Sequence, residues 1–329
     1  MRKGLFIICL LARAALAFQI PGGHGGIAGP ATGAILECRF DSALRMTDSA
    51  YLSGGNPLAA ALHLAALGMR DVDFDSTIDA AAFARSYERA LAAVDEYERA
   101  RGVSAYSATL RGLVLGMRAA FHLRGGAYFA AAGSGMDAIR VMREARALDT
   151  ANAEVDFFLG MYDYARADLK KRLWWVLFWY PGDRESGVRQ LERGAAGAVV
   201  TKAASALALS DIYLKEGQPQ KSREIIYALR REMPRSRFVL WAEAKYYDDR
   251  KMYSRAAIVY GRLADSYEKE AYGSYNSAVT RSRQARAYSR AGDTAMAVSA
   301  CGRVIERGGG GRAGGVVRDA EKLLERLLK

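Results

Sequence analysis

Histidine and cysteine side chains, which commonly supply bases, nucleophiles and metal ligands, are few in this sequence of 329 residues. There are three of each, far apart in the chain: His24, His63, His122, Cys9, Cys38 and Cys301. No GxSxG, HExxH or CxxC motif occurs, and the glycine runs lack the strand–loop–helix setting of a phosphate-binding loop. We therefore predict a protein that is not an enzyme and carries neither a metal ion nor a cofactor. An enzyme whose site is assembled from residues distant in the sequence is the alternative.

One acidic cluster, DVDFD at residues 71–75, could suggest a calcium site. An EF-hand loop also needs a central glycine and a terminal glutamate, and this cluster has neither. We predict instead a loop whose aspartates cap neighbouring helices.

An aromatic segment, KKRLWWVLFWY at residues 170–180, holds three of the four tryptophans of the chain. It is too short to span a bilayer as a helix, which takes about 20 residues. It could fold back over neighbouring helices, contact a membrane interface beneath its basic residues, or form an aromatic hot spot for a protein partner. In the last two cases the contacting residues would be Trp174, Trp175, Phe178 and Trp179.

The elements that would position such side chains follow a 34-residue period. Residues 203–236 and 237–270 form two consecutive units, and a third unit starts at Ala278. Small residues recur at positions 8 and 20 of each unit, a tyrosine at position 11 and a larger side chain at position 24. Position 15, in the turn between the paired helices, holds Gly217, Lys251 and Gly292. The pattern predicts pairs of amphipathic helices that pack closely.

This pattern resembles the tetratricopeptide repeat. The resemblance implies an all-α fold in which antiparallel helix pairs stack as a right-handed α-solenoid. An irregular helical bundle with accidental spacing is the alternative. A tyrosine-rich helix followed by an apolar loop and PGDRESG at residues 181–187 is also similar to a group of bacterial envelope tetratricopeptide proteins.

Further units precede the clear repeats, within residues 119–202. A unit starting at Ala119 would place Gly126 at position 8, Phe129 at position 11 and Gly133 in the turn. The next unit, from Ala153, has Leu159 and Gly160 at positions 7 and 8. Its second helix is predicted to start near residues 181–183, with close packing at Gly187 and Gly194 and a larger side chain at Leu191. Residues 34–118 are predicted to form helices that could be degenerate repeats.

The resemblance also implies a concave groove lined by the first helix of each unit. In the third unit it would contain Arg283, Arg286 and Arg290, and in the second Trp241 and Lys245. Phe157 and Tyr164 would line its apolar, N-terminal part. The groove would thus change from apolar and aromatic at its N-terminal end to basic at its C-terminal end. Such a groove suits an extended or helical peptide with acidic residues at one end. For any single groove residue, a generic solvated surface position is the alternative.

The N-terminus is typical of an export signal. Arg2 and Lys3 precede a short apolar run, and Ala15 and Ala17 fit the small-x-small cleavage rule, so residues 1–17 would be removed. An uncleaved anchor is the alternative. We expect a flexible leader at residues 18–33. Cys38 and Cys301 would remain in the exported protein, as buried apolar residues or, in an oxidising compartment, as a disulfide.

Positive charge is concentrated in the C-terminal half. Residues 169–329 contain 31 basic and 18 acidic side chains. We expect an acidic protein or peptide as partner, with membrane-surface contact as an alternative and nucleic acid disfavoured by export.

After the third repeat, which ends at Gly309, a glycine linker and an amphipathic helix within residues 310–329 would cover the last apolar face. The prediction is an interaction scaffold of the bacterial cell envelope, with the oligomeric state left open.

Overall fold

The computed structural model describes residues 20–21, 24–172, 183–307 and 311–329. These ranges contain 15 α-helices and no strand, so the prediction of an all-α fold is confirmed. The helices are α1 (Ala28–Leu36), α2 (Phe40–Gly54), α3 (Pro57–Asp73), α4 (Ala80–Arg101), α5 (Ala105–Arg124), α6 (Tyr128–Leu148), α7 (Asp156–Arg172), α8 (Arg184–Gly197), α9 (Lys202–Lys215), α10 (Pro219–Glu232), α11 (Arg237–Asp249), α12 (Tyr253–Tyr267), α13 (Ser274–Ala291), α14 (Thr294–Arg307) and α15 (Gly314–Leu327). None of these helices is both long and apolar enough to cross a membrane.

The chain divides into two compact units. The described residues of the first unit lie within Met1–Ile35, Arg39–Arg70 and Thr77–Leu209. The second unit comprises Leu36–Cys38, Asp71–Ser76 and Ser210–Lys329, again as far as they are described. Two short N-terminal segments therefore belong to the unit that holds the clear repeats.

Helix boundaries in the first unit follow local signals. The side-chain oxygen of Asn56 accepts hydrogen bonds from the backbone N–H groups of Leu58 and Ala59, at 3.0 and 3.2 Å, and Pro57 is the first residue of α3. Asn56 is thus the N-cap of α3, with proline at the first helical position. Asp79 caps α4 in the same way, accepting from the N–H of Ala82 at 2.7 Å.

The structure differs from the predicted flexible leader. Gly25–Ile27 forms a 3-10 turn, and α1 begins at Ala28. Ala28 and Ala31 are 1% and 0% exposed and belong to the same apolar core cluster as Leu58. Small side chains, which suggested a linker, here allow close packing of a helix against this core.

The unit predicted to start at Ala119 has the wrong register. The turn lies at Gly126, whose φ of +74° requires a left-handed backbone, and α5 and α6 pair across it. Gly133, predicted to form the turn, lies inside α6. Phe129, predicted at position 11, where the clear repeats hold a tyrosine, is 98% exposed. Glycine spacing alone did not distinguish a turn glycine from a helical one.

The next pair confirms its predicted packing. α8 begins at Arg184 after its cap Asp183, and Leu191 is fully buried. Gly160 of α7 and Gly187 of α8 meet so closely that a Cβ atom on either would lie 2.8 Å from the other's carbonyl oxygen. The two glycines therefore let the helix backbones touch.

The repeats of the second unit follow the predicted register. Ala244 and Ala256 in one pair, and Ala285 and Ala297 in the next, are all 0% exposed, as positions 8 and 20 require. The turn residues Gly217, Lys251 and Gly292 all have positive φ, at +73°, +56° and +81°. In the first of these pairs α9 extends back into the first unit, which ends at Leu209.

The C-terminal helix covers the last repeat, as predicted. Leu323 of α15 belongs to an apolar cluster with Ala285, Ala300 and Cys301, and Leu324 and Leu327 pack against it. Both Cys38 and Cys301 are buried and free, so the structure contains no disulfide between them.

The acidic cluster at residues 71–75 does not form the predicted capping loop. α3 continues to Asp73, and the side chain of Asp73 is buried against Arg237, at 2.6 Å between Nη2 and Oδ2. A buried guanidinium needs a counter-charge, and this carboxylate supplies it.

Candidate functional site

A pocket of about 650 Å³ opens between α13 and α15 in the second unit. Its charged lining comprises six basic side chains and two acidic ones: Arg283, Arg286, Arg290, Arg312, Arg318, Lys322, Asp248 and Asp319. The lining therefore carries a net charge of +4 at neutral pH. A pocket of this size can hold a small molecule or a short stretch of peptide, and its field favours an anion.

Helix geometry places three of the arginines on one face of α13. Arg283, Arg286 and Arg290 follow each other at intervals of three and four residues, which is the spacing of one helix face. All three are exposed, whereas Ala278 and Ala285 of the same helix are 5% and 0% exposed. Packing of the alanine face thus fixes where the arginines point.

Three of the pocket's basic side chains have acidic neighbours. Arg286 donates to Asp319 of α15 at 2.7 Å, and Arg290 lies 3.6 Å from Asp248 of α11. Arg312 donates to Asp75 at 2.7 Å. In the pair of Arg286 with Asp319 both side chains are about half exposed. Exposed ion pairs of this kind contribute only about 0.2–1 kcal/mol, so a ligand carboxylate can replace one partner.

Arg318 and Lys322 are also exposed, and neither forms an ion pair with another described residue. They lie four residues apart on α15 and line the pocket opposite α13. Their positive charge is therefore available to a ligand.

An aromatic cluster supports Arg283. The guanidinium lies 5.3 Å above the ring of Trp241, whose Nε1–H donates to the hydroxyl of Tyr267 at 3.0 Å. Trp241 also meets Tyr260 edge to face at 6.0 Å. Burial raises the pKa of both tyrosines, so their hydroxyls stay neutral. These contacts and a hydrogen bond to the Tyr260 side chain orient Arg283, whose side chain remains exposed.

Comparison with solved structures identifies the architecture. The chain is similar to one in the crystal structure of the APC/C hetero-tetramer Cut9-Hcn1, with a TM-score of 0.53 and 11% identity over 89% of this chain and 54% of that chain. It thus spans about half the length of that relative. It is also similar to human IFIT1 in the dimer with PPP-AAAA (TM-score 0.49, 16% identity, 89% and 68% of the two chains) and to the C-terminal part of a TPR repeat-containing protein from Cytophaga hutchinsonii (0.41, 12%, 88% and 97%).

The chain has a tetratricopeptide-like fold. At these identities the likeness shows the fold alone. No family model and no curated protein matches the sequence. The prediction of helix-pair repeats of the α-solenoid class is confirmed.

Of the residues predicted to line the groove of this tetratricopeptide-like fold, the pocket brings together Arg283, Arg286 and Arg290, and Trp241 supports Arg283 from below. Lys245 lies outside the pocket and contacts Asp211. Burial would raise the pKa of Asp211, but hydrogen bonds from Lys215 and Lys245 outweigh it and hold this pKa below its ordinary value. Lys245 thus has a carboxylate partner within its own unit.

The two predicted apolar groove residues belong to the first unit. Phe157 is half-buried and meets Phe158 edge to face at 5.1 Å. Tyr164 is only 7% exposed; its hydroxyl accepts from Arg184 at 2.9 Å, and its backbone packs against Gly187. The structure therefore corrects the placement of Tyr164: it fills the space between α7 and α8 and does not line an open surface.

The aromatic residues Trp174, Trp175, Phe178 and Trp179 lie outside the described residues. Membrane or partner contact by residues 173–180 stays a prediction.

One constellation that sequence reasoning missed resembles a catalytic triad. His63 lies 2.9 Å from the hydroxyl of Ser86 through Nδ1 and 3.4 Å from Asp48 through Nε2. Burial and the charge of Arg89 lower the pKa of His63. Ser86, however, is 3% exposed within the packing of α4, so a substrate cannot reach its hydroxyl. The three side chains join α2, α3 and α4.

Sequence reasoning also missed the contribution of α15 to the pocket. The helix was predicted as an apolar cap, and its polar face was not assigned. The spacing of Arg318 and Lys322 is a sequence signal for one basic face, but it does not reveal that this face lies opposite Arg283.

Proposed function

We propose that this chain is an exported, non-enzymatic interaction scaffold of a bacterial cell envelope. In this proposal it binds an acidic peptide segment or partner helix in the basic pocket between α13 and α15. The tetratricopeptide-like fold, a class that generally mediates protein–protein interaction, supports the scaffold role.

The observation that carries the binding proposal is the charge of the pocket lining, six basic side chains against two acidic ones in about 650 Å³. Of the two acids present, Asp319 forms a solvent-exposed pair with Arg286, whereas Asp248 is 30% exposed and also accepts from the hydroxyl of Tyr260. A peptide carboxylate can exchange with Asp319 at little cost, and Arg318 and Lys322 offer further positive charge. Planar guanidinium groups bind carboxylates with directed, charge-assisted hydrogen bonds, which favours an acidic peptide over an apolar one.

The test uses the full exported chain and a fluorescent hexaglutamate peptide as probe. Changing Arg283, Arg286 and Arg290 together to glutamate should lower its affinity at least about tenfold, because three exposed attractions become repulsions. The matched control changes Arg231, Arg235 and Arg262 to glutamate; these arginines are also exposed and lie outside the pocket. Equal affinities of the two triple variants would reject the pocket as the binding site.

The dependence of peptide affinity on ionic strength is a second test of the same proposal. Binding through exposed charges weakens as salt shortens the Debye length from about 30 Å at 0.01 M to about 8 Å at 0.15 M. The affinity of the unaltered chain should fall steeply over this range. A salt-independent affinity would indicate apolar recognition.

The predicted export signal supports the proposed envelope location. Arg2, Lys3 and the Ala15–Ala17 cleavage pattern predict removal of residues 1–17. N-terminal sequencing of the protein recovered from the periplasmic fraction should then begin at Phe18. Full-length protein confined to the cytosolic fraction would reject export.

A further inference from the structure

Asp319 lines the pocket and pairs there with Arg286. Its Oδ2 accepts from Nη2 of Arg286 at 2.7 Å, across the pocket between α15 and α13. The side chains of Arg286 and Asp319 are 51% and 54% exposed, so the pair forms on an open surface. It is the kind of contact that the proposed acidic peptide would make.

The other acids of α15 do not share this position. Glu321 and Glu325 are exposed, yet neither lines the pocket. Asp319 lies between Arg318 and Lys322, so it brings one negative charge into the basic lining of α15.

Apolar contacts other than this ion pair hold α15 against the last repeat. Ala320 and Leu323 of the helix are 1% and 8% exposed, and Leu323 packs with Ala285, Ala300 and Cys301. Removing the charge of Asp319 should therefore leave the helix in place. The carboxylate is separable from the structural role of the helix that carries it.

We infer that Asp319 is a built-in competitor for the acidic ligand at Arg286. This inference rests on the proposed function of the pocket. A ligand carboxylate that binds Nη2 of Arg286 competes with Asp319, so a ligand with one carboxylate gains little there. A ligand with several can bind Arg318, Lys322 and Arg283 as well.

The spacing of the arginines indicates the ligand class. Arg283 and Arg290 are seven residues apart on α13, which corresponds to about 10 Å along a helix. The preferred ligand is thus a peptide segment with at least two carboxylates about 10 Å apart. The competitor favours such a segment over the many proteins that present a single acidic side chain.

The test compares Asp319→Asn with Glu321→Gln in the full chain, using the hexaglutamate probe. Both variants lose one negative charge on the same helix, but only the first frees Arg286. Asp319→Asn should bind about two- to fivefold more tightly than Glu321→Gln, the range expected for loss of an exposed ion pair. In a chain that also carries Arg286→Ala, this difference should disappear.

The outcomes separate the inference from the proposed function. Equal affinity of the two variants, with the unaltered chain still binding, overturns the competitor role alone. A difference that persists without Arg286 also overturns it. No binding by any variant overturns the proposed function and the inference together. A preference for inorganic phosphate or anionic phosphatidylglycerol vesicles over hexaglutamate overturns the assigned ligand class.

Discussion

Arg237 and Asp73 lie 164 residues apart in the chain and form a buried ion pair with three hydrogen bonds. Nε of Arg237 donates to both carboxylate oxygens, at 3.1 and 2.8 Å, and Nη2 donates to Oδ2 at 2.6 Å. The side chains are 3% and 1% exposed. Tyr267 donates to the same carboxylate and accepts from Trp241, which underlies Arg283 of the pocket. The pair thus holds the segment Asp71–Ser76 against the repeats of the second unit.

Removing one partner of this pair should cost much more than removing an exposed pair nearby. Asp73→Ala leaves the Arg237 guanidinium buried without its main counter-charge, so the free energy of unfolding should fall by about 3–5 kcal/mol. Urea denaturation followed by circular dichroism measures this. Asp75→Asn is the control, because Asp75 pairs with Arg312 at 2.7 Å on the surface, and it should cost less than about 1 kcal/mol. Similar losses for the two variants would contradict the importance of burial.

The contact between α7 and α8 should not tolerate a methyl group. A Cβ atom on Gly160 would lie 2.8 Å from the carbonyl oxygen of Gly187, and backbone atoms cannot move aside cheaply. Gly160→Ala should lower the free energy of unfolding by about 1–3 kcal/mol.

Gly133→Ala supplies the matched control for this contact. Gly133 lies inside α6, and a methyl group added to it would have no other atom within 4 Å. Alanine there should raise stability by about 0.5–1 kcal/mol, because it restricts the unfolded chain. Thermal denaturation of both variants should show a lower stability for Gly160→Ala and a higher stability for Gly133→Ala. A stable Gly160→Ala variant would show that the helices can separate without cost.

Lys251 occupies the repeat position that holds glycine in the two neighbouring repeats. Its φ is +56°, and a left-handed backbone costs a non-glycine residue about 1–2 kcal/mol. Lys251→Gly should therefore raise the free energy of unfolding by about 1 kcal/mol. Gly292→Ala, at the same position of the next repeat and with φ +81°, should lower it by a similar amount. Denaturant titration of both variants tests the pair, and a destabilised Lys251→Gly variant would contradict the strain.

Acid should weaken the second unit through Glu268. Partial burial would raise the pKa of this carboxyl, but hydrogen bonds from Arg281 and the charges of Arg281 and Arg307 outweigh it and place its pKa below the ordinary value. A carboxylate with a lowered folded-state pKa contributes its stability above the unfolded pKa. That contribution is lost as the pH falls through the folded value.

Glu268→Gln should therefore flatten the fall in unfolding free energy between about pH 5 and 3. The exposed Glu325→Gln makes the same change of charge and should keep the slope of the unaltered chain. Equal slopes for all three proteins would exclude Glu268 as a source of the acid sensitivity.

Much of the fold could be predicted from the sequence because its signals are local. The cap at Asn56, the close contact of Gly160 with Gly187 and the turns at Gly217 and Gly292 all follow from residue types at fixed spacing. The predicted repeat register of the unit from Ala119 was wrong because Gly126 and Gly133 look alike in sequence. Only the folded backbone shows which of them lies in the turn. The prediction of a flexible leader before Ala34 was wrong for a similar reason, since a linker and a tightly packed helix favour the same small residues.

By itself, the sequence determined that the chain folds as helix pairs with a 34-residue period and that one face of α13 carries Arg283, Arg286 and Arg290. Periodicity specifies which face of a helix is apolar, because that face repeats every three to four residues. It does not specify which other helix covers that face. Only the tertiary structure placed Arg318, Lys322 and Asp319 across from α13, and only it joined Asp73 to Arg237, because contacts over long sequence separations leave no local pattern.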